Sequence, residues 1–449
     1  MNILLPQFAL AGGVLGVLGL GLLRRPPPWA VRAAVLLAPA AAILLLQVVP
    51  ASYVPPLLSV DSKSLGWQLV IYAADLPMAL RASGDDVEAA LFLGAVLGMG
   101  LLAVAGNLPM LFIALEFMSL PAYLLVARAG RGDASRKIEA ALKYFFAGAL
   151  AGGLFLLGMA LFYWDTRQLG VSLTPLGPLG QAGAALMATA ALFKIGAVPL
   201  QWWLPDVYEA AAPEVVGFLS TAMKSAAVFF LMRVVQVAPA TDVAALLPWV
   251  GAATSLFGAV MALRQERLQR LLAYSSMAHA GLLILGVGAW AKLGQSSAAA
   301  ASILFYLGAY AFMSNGTFGF LSVTGLKTRS QLKGYASRQP GPALAFAVLL
   351  FSLGGIPPTG GFIAKLLVFW QAIAAGLTGP VLVGAVSALV SLGYYLALVR
   401  DIYFEEPCEG VPEPGPAGPR VLILVCALVS LVLGAAPLLL KNLAGVFWR

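Results

Sequence analysis

Two lysines interrupt otherwise apolar runs in the middle of this sequence. Lys194 lies in ATAALFKIGAVPLQWWLP, and Lys224 lies in FLSTAMKSAAVFFL. An ammonium group at the middle of a bilayer costs roughly 2.5–3.5 kcal/mol on insertion scales, so such residues usually face a polar interior. Pro199 predicts a break soon after Lys194, because proline lacks the amide hydrogen and clashes with the preceding turn. A buried lysine beside a broken helix is typical of an ion path.

A second break with a nearby lysine occurs later in the chain. The run LGGIPPTGGF (Leu353–Phe362) contains Pro357 and Pro358 among four glycines, and Lys365 follows it closely. A regular helix cannot continue through such a run. Interrupted hydrophobic segments in corresponding places of two halves are typical of inverted repeats with the site at the breaks. The sequence therefore predicts two inverted five-helix repeats, each containing one broken helix.

The composition of the chain is that of a polytopic membrane protein. Its 449 residues are 61% hydrophobic and 10% charged, against roughly 25% charged in soluble domains, and the mean hydropathy is +0.92. The net charge of +8 comes from basic residues in short loops, which is a membrane-topology pattern and does not indicate nucleic acid. Two cysteines and one histidine cannot hold an iron–sulfur cluster or a bis-histidine haem, and no metal site is expected.

Hydrophobic segments predict an all-α fold with about 14 spans of roughly 20 residues each. The predicted domains are an N-terminal region of three spans (1–87), a first repeat of helices four to eight (88–237), an inverted second repeat of helices nine to thirteen (243–404), and a loop with a last helix (405–449). The third span, Trp67–Leu80, is poor because it contains Asp75 and Pro77. The sixth, Ala140–Tyr163, places Lys143 in its first turn. The distribution of basic residues predicts an outward-facing amino terminus.

Six ionisable residues fall within predicted spans and could move protons. Desolvation disfavours the charged form of a buried lysine, and a nearby carboxylate favours that charged form again. We therefore expect Glu116 to set the protonation of Lys194, Lys224 to relay the proton, and Lys365 to act as the terminal exchange group. The six candidates are Glu116, Lys143, Lys194, Lys224, His279 and Lys365.

Several of these ionisable residues also have a structural explanation. Glu116 could form a salt bridge that only joins helices. Lys143 and Lys224 could extend their ammonium groups toward the membrane surface. His279 could be a hydrogen-bonded core residue, and Asp75 is expected to lie at the interface.

Six ordered motifs in the chain resemble the proton-conducting, antiporter-like membrane subunits of respiratory complex I. The motifs are LEFMSLPAY (Leu115–Tyr123), ALKYFFAGAL (Ala141–Leu150), LFKIGAVPLQWWLPDVYEAAAPEV (Leu192–Val215), FLSTAMKSAA (Phe218–Ala227), LLAYSSMAHAG (Leu271–Gly281) and GIPPTGGFIAKLLVF (Gly355–Phe369). The resemblance is strong over about residues 88–405. The lysine at position 365 and the absence of a long lateral helix favour the N type of subunit over the M and L types.

The resemblance implies a non-redox subunit of a proton-translocating NADH:quinone oxidoreductase in the bacterial plasma (inner) membrane. It implies fourteen helices and places the family's functional glutamate and lysines at Glu116, Lys143, Lys194, Lys224 and Lys365. No cofactor would be bound by this chain, since NADH, FMN, iron–sulfur clusters and quinone would be held by partner subunits. The expected partners are sibling antiporter-like subunits, other membrane subunits, the peripheral redox arm and the lipid bilayer.

Two other functions remain open from the sequence. The first is the large subunit of a multi-subunit Na⁺/H⁺ antiporter, which would have no redox link. The second is a scaffold whose buried charges only lock helices together. Sodium-dependent exchange without NADH would favour the antiporter, and mutants that fail only in assembly would favour the scaffold.

Overall fold

The computed structural model describes residues 4–22, 27–49, 52–54, 57–79, 84–130, 133–170, 176–237, 242–407 and 418–436. Helices dominate these ranges. Residues 52–60 include a short antiparallel hairpin in which β1 (Ser52–Val54) pairs with β2 (Leu58–Val60). Most of the proline-rich loop predicted at 405–419 falls outside the described residues.

Eighteen α-helices follow one another in the described part of the chain. They are α1 (Leu5–Gly21), α2 (Pro28–Leu45), α3 (Ser62–Ala79), α4 (Asp86–Ala103), α5 (Leu108–Arg128), α6 (Ala134–Thr166), α7 (Pro178–Ile195), α8 (Leu204–Ala210), α9 (Pro213–Phe218), α10 (Lys224–Val237), α11 (Asp242–Ala262), α12 (Leu268–Lys292), α13 (Ser297–Thr324), α14 (Tyr335–Arg338), α15 (Pro340–Gly354), α16 (Gly360–Ala374), α17 (Thr378–Phe404) and α18 (Gly418–Ala435).

Within the described ranges, nine helices are long and apolar enough to cross a membrane, and four shorter apolar helices accompany them. The predicted all-α polytopic membrane fold is therefore confirmed. The count of fourteen spans and the inverted repeats stay predictions. Two of the nine, Pro213–Val237 and Leu268–Lys292, are buried along their whole apolar windows, and these two carry Lys224 and His279.

Both predicted helix breaks are present. Helix α7 ends at Ile195, and Gly196 adopts a left-handed backbone (φ +83°), which glycine accepts without a steric penalty. The chain runs past Pro199 before α8 begins at Leu204. Pro357 and Pro358 separate α15 from α16 in the same way, after Gly355 at φ +84°.

One sequence-based placement is wrong and another stays a prediction. Asp75 is expected at the membrane interface; its residue is 0% exposed within α3, a continuous helix of 18 residues, which shows its burial by protein and does not test its depth in a membrane. Lys143 was expected in the first turn of its helix, but α6 begins at Ala134, because Asp133 caps it by accepting from the Ser135 amide at 2.9 Å. Lys143 is therefore more than two turns inside the helix.

Contacts divide the chain into two compact units. One is built mainly from Met1–Ile195 with Ala222–Ala245, and the other from Gly196–Thr221 with Leu246–Gly445. In the first unit α6 packs on α7 and α4 packs on α5 and α1, and in the second α13 packs on α16 and α18. Small residues permit the close contacts, as at Gly98, where a Cβ atom would overlap the backbone of Met118.

Candidate functional site

Lys194 lies in the last turn of α7, immediately before the break. Its side chain is 4% exposed. Its ammonium donates to the Ser119 hydroxyl at 2.9 Å and to the Tyr123 hydroxyl at 2.8 Å, both on α5. The lysine therefore has polar partners deep in an apolar unit.

Glu116 lies beside this ammonium without forming a hydrogen bond to it. Its Oε1 is 3.7 Å from the Lys194 Nζ. This oxygen is buried and has no hydrogen-bond partner in the structure, although the side chain as a whole is 25% exposed. The attraction is therefore electrostatic, and a small movement of either side chain would change it.

Glycines on α6 make room for the pair. A Cβ atom at Gly148 would overlap the Tyr123 hydroxyl, and one at Gly152 would lie 3.3 Å from Glu116 Oε1. The polar group formed by Glu116, Ser119, Tyr123 and Lys194 therefore depends on three helices, α5, α6 and α7.

Ser119 and Tyr123 are not among the site residues predicted above, although a signal for them is present in the sequence. They follow Glu116 by three and seven residues in LEFMSLPAY, a spacing that puts all three side chains on one helical face. The structure confirms that face, since Ser119 and Tyr123 both contact Lys194.

If the chain conducts protons, as the resemblance implies, removing these hydroxyls should weaken transport less than removing the lysine. In a Ser119→Ala or Tyr123→Phe variant, one hydrogen bond to the ammonium is lost, and such bonds are worth about 1.5–3 kcal/mol. We expect each single variant to pump more slowly than the parent, and the double variant to be slower still. Proton uptake by membrane vesicles, normalised to assembled protein, measures this. Parental rates in the double variant would contradict the assigned contacts.

Lys224 begins α10, directly after a π-helical segment at Leu219–Met223. Its residue is 3% exposed, and α10 packs against α7, the helix of Lys194. Single π-helical turns are frequent at functional sites because they shift the side chains that follow. The prediction that Lys224 is buried in the membrane-spanning region agrees with this position.

Lys143 differs from the other lysines in its surroundings. Its side chain is 37% exposed, and its ammonium pairs with Glu139 of the same helix at 2.8 Å. The structure thus places it on an outer face of α6 with an ion-pair partner one turn away, outside the polar group around Lys194.

His279 lies in a cluster of tyrosines within the second unit. Its Nδ1 is 2.8 Å from the Tyr306 hydroxyl, and its Nε2 is 3.4 Å from the Tyr395 hydroxyl. Tyr395 also shares a short hydrogen bond with Ser275. The imidazole therefore has a hydroxyl within reach of each nitrogen, as a proton relay requires, although a buried structural histidine needs partners too.

Lys365 bridges the two halves of its broken helix. It belongs to α16, and its ammonium donates to the carbonyl oxygens of Leu353 and Gly354 at the end of α15, both at 2.8 Å. A cation is stabilised at a helix carboxyl terminus by the exposed carbonyl groups. Gly355 borders the lysine stem so closely that a Cβ atom there would lie 3.0 Å from the Lys365 Cδ.

The two units thus each contain buried or partly buried protonatable groups. The first unit holds Glu116, Lys194 and Lys224, and the second holds His279 and Lys365. Within the described ranges, no three residues among histidine, cysteine, aspartate and glutamate lie together as metal ligands would. The arrangement is suited to storing and passing protons.

The chain is similar to a known family of membrane proteins. Residues 105–391 match the family described as NADH:quinone oxidoreductase/Mrp antiporter, TM. NADH-quinone oxidoreductase subunit N 1 of Chloroherpeton thalassium is 34% identical over 393 residues, covering 84% of this chain and 81% of the relative. Subunit N 3 of Streptomyces griseus is 38% identical over 404 residues, covering 83% of this chain and 72% of that relative.

Solved structures show the same relationship. A chain in respiratory complex I from Thermus thermophilus with bound aureothin is 33% identical, with a TM-score of 0.86 over 97% of this chain and 98% of that chain. A chain of the Mrp complex from Dietzia sp. DQ12-45-1b shares the fold at 22% identity. Its TM-score is 0.83, and the match covers 99% of this chain and 95% of that chain.

The motifs, the broken helices and these similarities agree, and the chain belongs to the NADH:quinone oxidoreductase/Mrp antiporter family of transmembrane subunits, together with the subunit N proteins of NADH-quinone oxidoreductases.

Proposed function

We propose that this chain carries protons across the membrane as one subunit of an NADH-quinone oxidoreductase. The observation that supports this most is the Glu116–Lys194 pair. The buried ammonium of Lys194, at the end of a broken helix, lies 3.7 Å from the carboxylate of Glu116. Such a pair can bind and release a proton without any redox chemistry.

The charge of Glu116 is large enough to control the proton on Lys194. Two unit charges about 4 Å apart interact by roughly 4 kcal/mol at an effective dielectric constant of about 20. That energy corresponds to a factor of about a thousand in the protonation equilibrium of the lysine. Moving or neutralising Glu116 would therefore favour release of the proton from the ammonium, and returning the charge would favour its rebinding.

The proposed order of transfer continues the sequence-based hypothesis. Protons enter at Lys194, pass through Lys224 and His279, and leave from Lys365. All three later residues are buried, as a route through the protein interior requires. Lys143, which is exposed and paired with Glu139, has no step assigned to it.

We further propose where the rest of the reaction occurs. NADH, flavin, iron–sulfur clusters and quinone would be held by partner subunits, and this chain would contribute no redox group. The complex would lie in the bacterial inner membrane with the amino terminus of this chain on the outer side, in keeping with the distribution of basic residues.

The test uses Glu116→Gln, which removes the charge and keeps the size of the side chain. We expect the complex to assemble and to transfer fewer protons per NADH oxidised, because Lys194 no longer has a carboxylate beside it. Inside-out membrane vesicles would report NADH-driven acidification and NADH oxidation together. Glu116→Asp, which keeps the charge, serves as the matched control. A proton-to-electron ratio in Glu116→Gln equal to that of the parent would refute the proposal that Glu116 controls the proton on Lys194.

A second candidate function is ion exchange in an Mrp-type antiporter, since the matching family includes those proteins. The two functions differ in their driving force. Proton movement that starts on adding NADH and is unchanged when potassium replaces sodium supports the oxidoreductase. Proton movement that needs a sodium gradient and ignores NADH supports the antiporter.

A further inference from the structure

Asp75 is a buried carboxyl group that the proposed route does not use. It lies on α3, its residue is 0% exposed, and neither of its carboxyl oxygens has a hydrogen-bond partner. No basic residue of the described chain forms an ion pair with it. An ionised carboxylate in such a place would be strongly disfavoured, so the neutral, protonated carboxyl is the stable form.

Asp75 stands at the end of a polar stripe along one face of α3. The stripe also contains Asp61, Ser64, Gln68 and Tyr72, at spacings of three or four residues, which places them on one helical face. At a rise of about 1.5 Å per residue, the stripe is about 21 Å long. All its helical members are fully buried.

Hydrogen bonds join most members of this stripe. The Ser64 amide donates to the Asp61 carboxylate at 2.7 Å. The Gln68 amide group donates to the Ser64 carbonyl at 3.4 Å, and the Tyr72 hydroxyl donates to the Gln68 side-chain oxygen at 3.2 Å. The hydrogen bonds therefore run from the start of α3 to Tyr72, three residues before Asp75.

A second helix contributes another polar side chain to the stripe. Gln7 of α1 is 3% exposed and donates to the Gln68 oxygen at 2.7 Å and to the Gly100 carbonyl of α4 at 3.3 Å. The Gln7 side-chain oxygen is buried without a partner. Unsatisfied buried oxygens at Gln7 and Asp75 both offer hydrogen-bond acceptors to water.

We propose that Asp75 is a proton-exchanging carboxyl at the end of a second hydrophilic path, formed by the α3 stripe and Gln7 and separate from the Lys194 site. The path is built on α1, α3 and α4, whereas the Lys194 site is built on α5, α6 and α7. A protonated Asp75 gives its proton to water and takes one back from water, so the step needs no other reactant. The proposal adds to the proposed function without depending on the Lys194 route.

The first test is chemical labelling, whose result does not depend on pumping. Dicyclohexylcarbodiimide is apolar and adds to protonated carboxyl groups within membranes. After treatment of the intact complex, peptide mass spectrometry should find the adduct on Asp75 and lose it in Asp75→Asn. Labelling should be the same in sodium chloride and in choline chloride. An unlabelled Asp75 would overturn the proposal, and protection by sodium would replace it with a cation site.

The second test asks whether water reaches the stripe. With Cys408 and Cys426 changed to serine, Gln68→Cys and Val70→Cys would be treated with a small charged thiol reagent. Val70 lies on the same helix but outside the stripe. We expect labelling of Gln68→Cys and little labelling of Val70→Cys. Equal labelling, or none at Gln68→Cys, would contradict a hydrophilic path.

The third test measures transport with Lys194 intact. Asp75→Asn keeps the shape but cannot exchange a proton, and Asp75→Glu keeps the carboxyl group. We expect a lower proton-to-NADH ratio in Asp75→Asn and recovery in Asp75→Glu. A purely structural carboxyl predicts the opposite order, since the isosteric amide would be tolerated better than the longer side chain. If Asp75→Asn fails to assemble, labelling of the parent complex still decides the proposal.

Discussion

Replacing Lys194 with alanine should abolish most NADH-driven proton pumping while the complex still assembles. The variant loses the group that we propose carries the proton beside Glu116, and general acid–base groups typically contribute at least about 10²-fold to proton-transfer rates. Assembly should survive because Glu116 is a quarter exposed and so tolerates the loss of its partner better than a fully buried charge. Vesicle acidification normalised to NADH oxidised measures the effect.

Lys194→Arg is the matched control for this prediction. Arginine keeps the positive charge and the hydrogen-bond donors, but it does not release its proton at accessible pH. We therefore expect normal assembly and impaired pumping in Lys194→Arg as well. If the Lys194→Arg variant pumps protons as fast as the parent, the positive charge at position 194 matters only for structure. The scaffold interpretation is then favoured.

Replacing Lys365 with alanine should reduce both pumping and stability. The carbonyls of Leu353 and Gly354 lose their common donor, and a buried acceptor without a partner costs about 1–3 kcal/mol. The break between α15 and α16 should loosen, so the solubilised complex should lose this subunit at a lower temperature than the parent does. Pumping should fall because the group that we propose for the terminal proton exchange is absent.

The two effects at Lys365 can be separated with Lys365→Arg. The guanidinium can still donate to both carbonyls, so the thermal stability should largely return. Its proton is not exchangeable, so pumping should stay low. Recovery of both properties would show that Lys365 only closes the break, and the exit step would have to be assigned to another group.

The helix breaks were predictable from the sequence because they depend on local backbone chemistry. Pro199 and the Pro357–Pro358 pair stop regular hydrogen bonding wherever they occur, and α7 and α15 end before them. The pairing of Glu116 with Lys194 was a hypothesis from charge alone, and the structure supplies the 3.7 Å distance.

The burial of Asp75 was not predictable from the sequence, whereas the positions of Lys143, Ser119 and Tyr123 were. The burial of Asp75 depends on packing against neighbouring helices, while its local hydropathy suggests only a weak span. The position of Lys143 could have been predicted, because Asp133 followed by a polar first turn is a helix start signal, which hydropathy averaging hides. Ser119 and Tyr123 were likewise visible from their helical spacing.

We propose above that this chain moves protons in an assembly driven by NADH oxidation. The most direct measurement is to isolate the native assembly through a tag on this chain, reconstitute it into vesicles, and follow proton movement on adding NADH and quinone. We expect inhibitor-sensitive NADH–quinone activity, co-purifying flavin and iron–sulfur subunits, and acidification that Lys194→Ala removes. A redox-silent assembly that exchanges sodium for protons would rule out NADH-driven pumping by this chain.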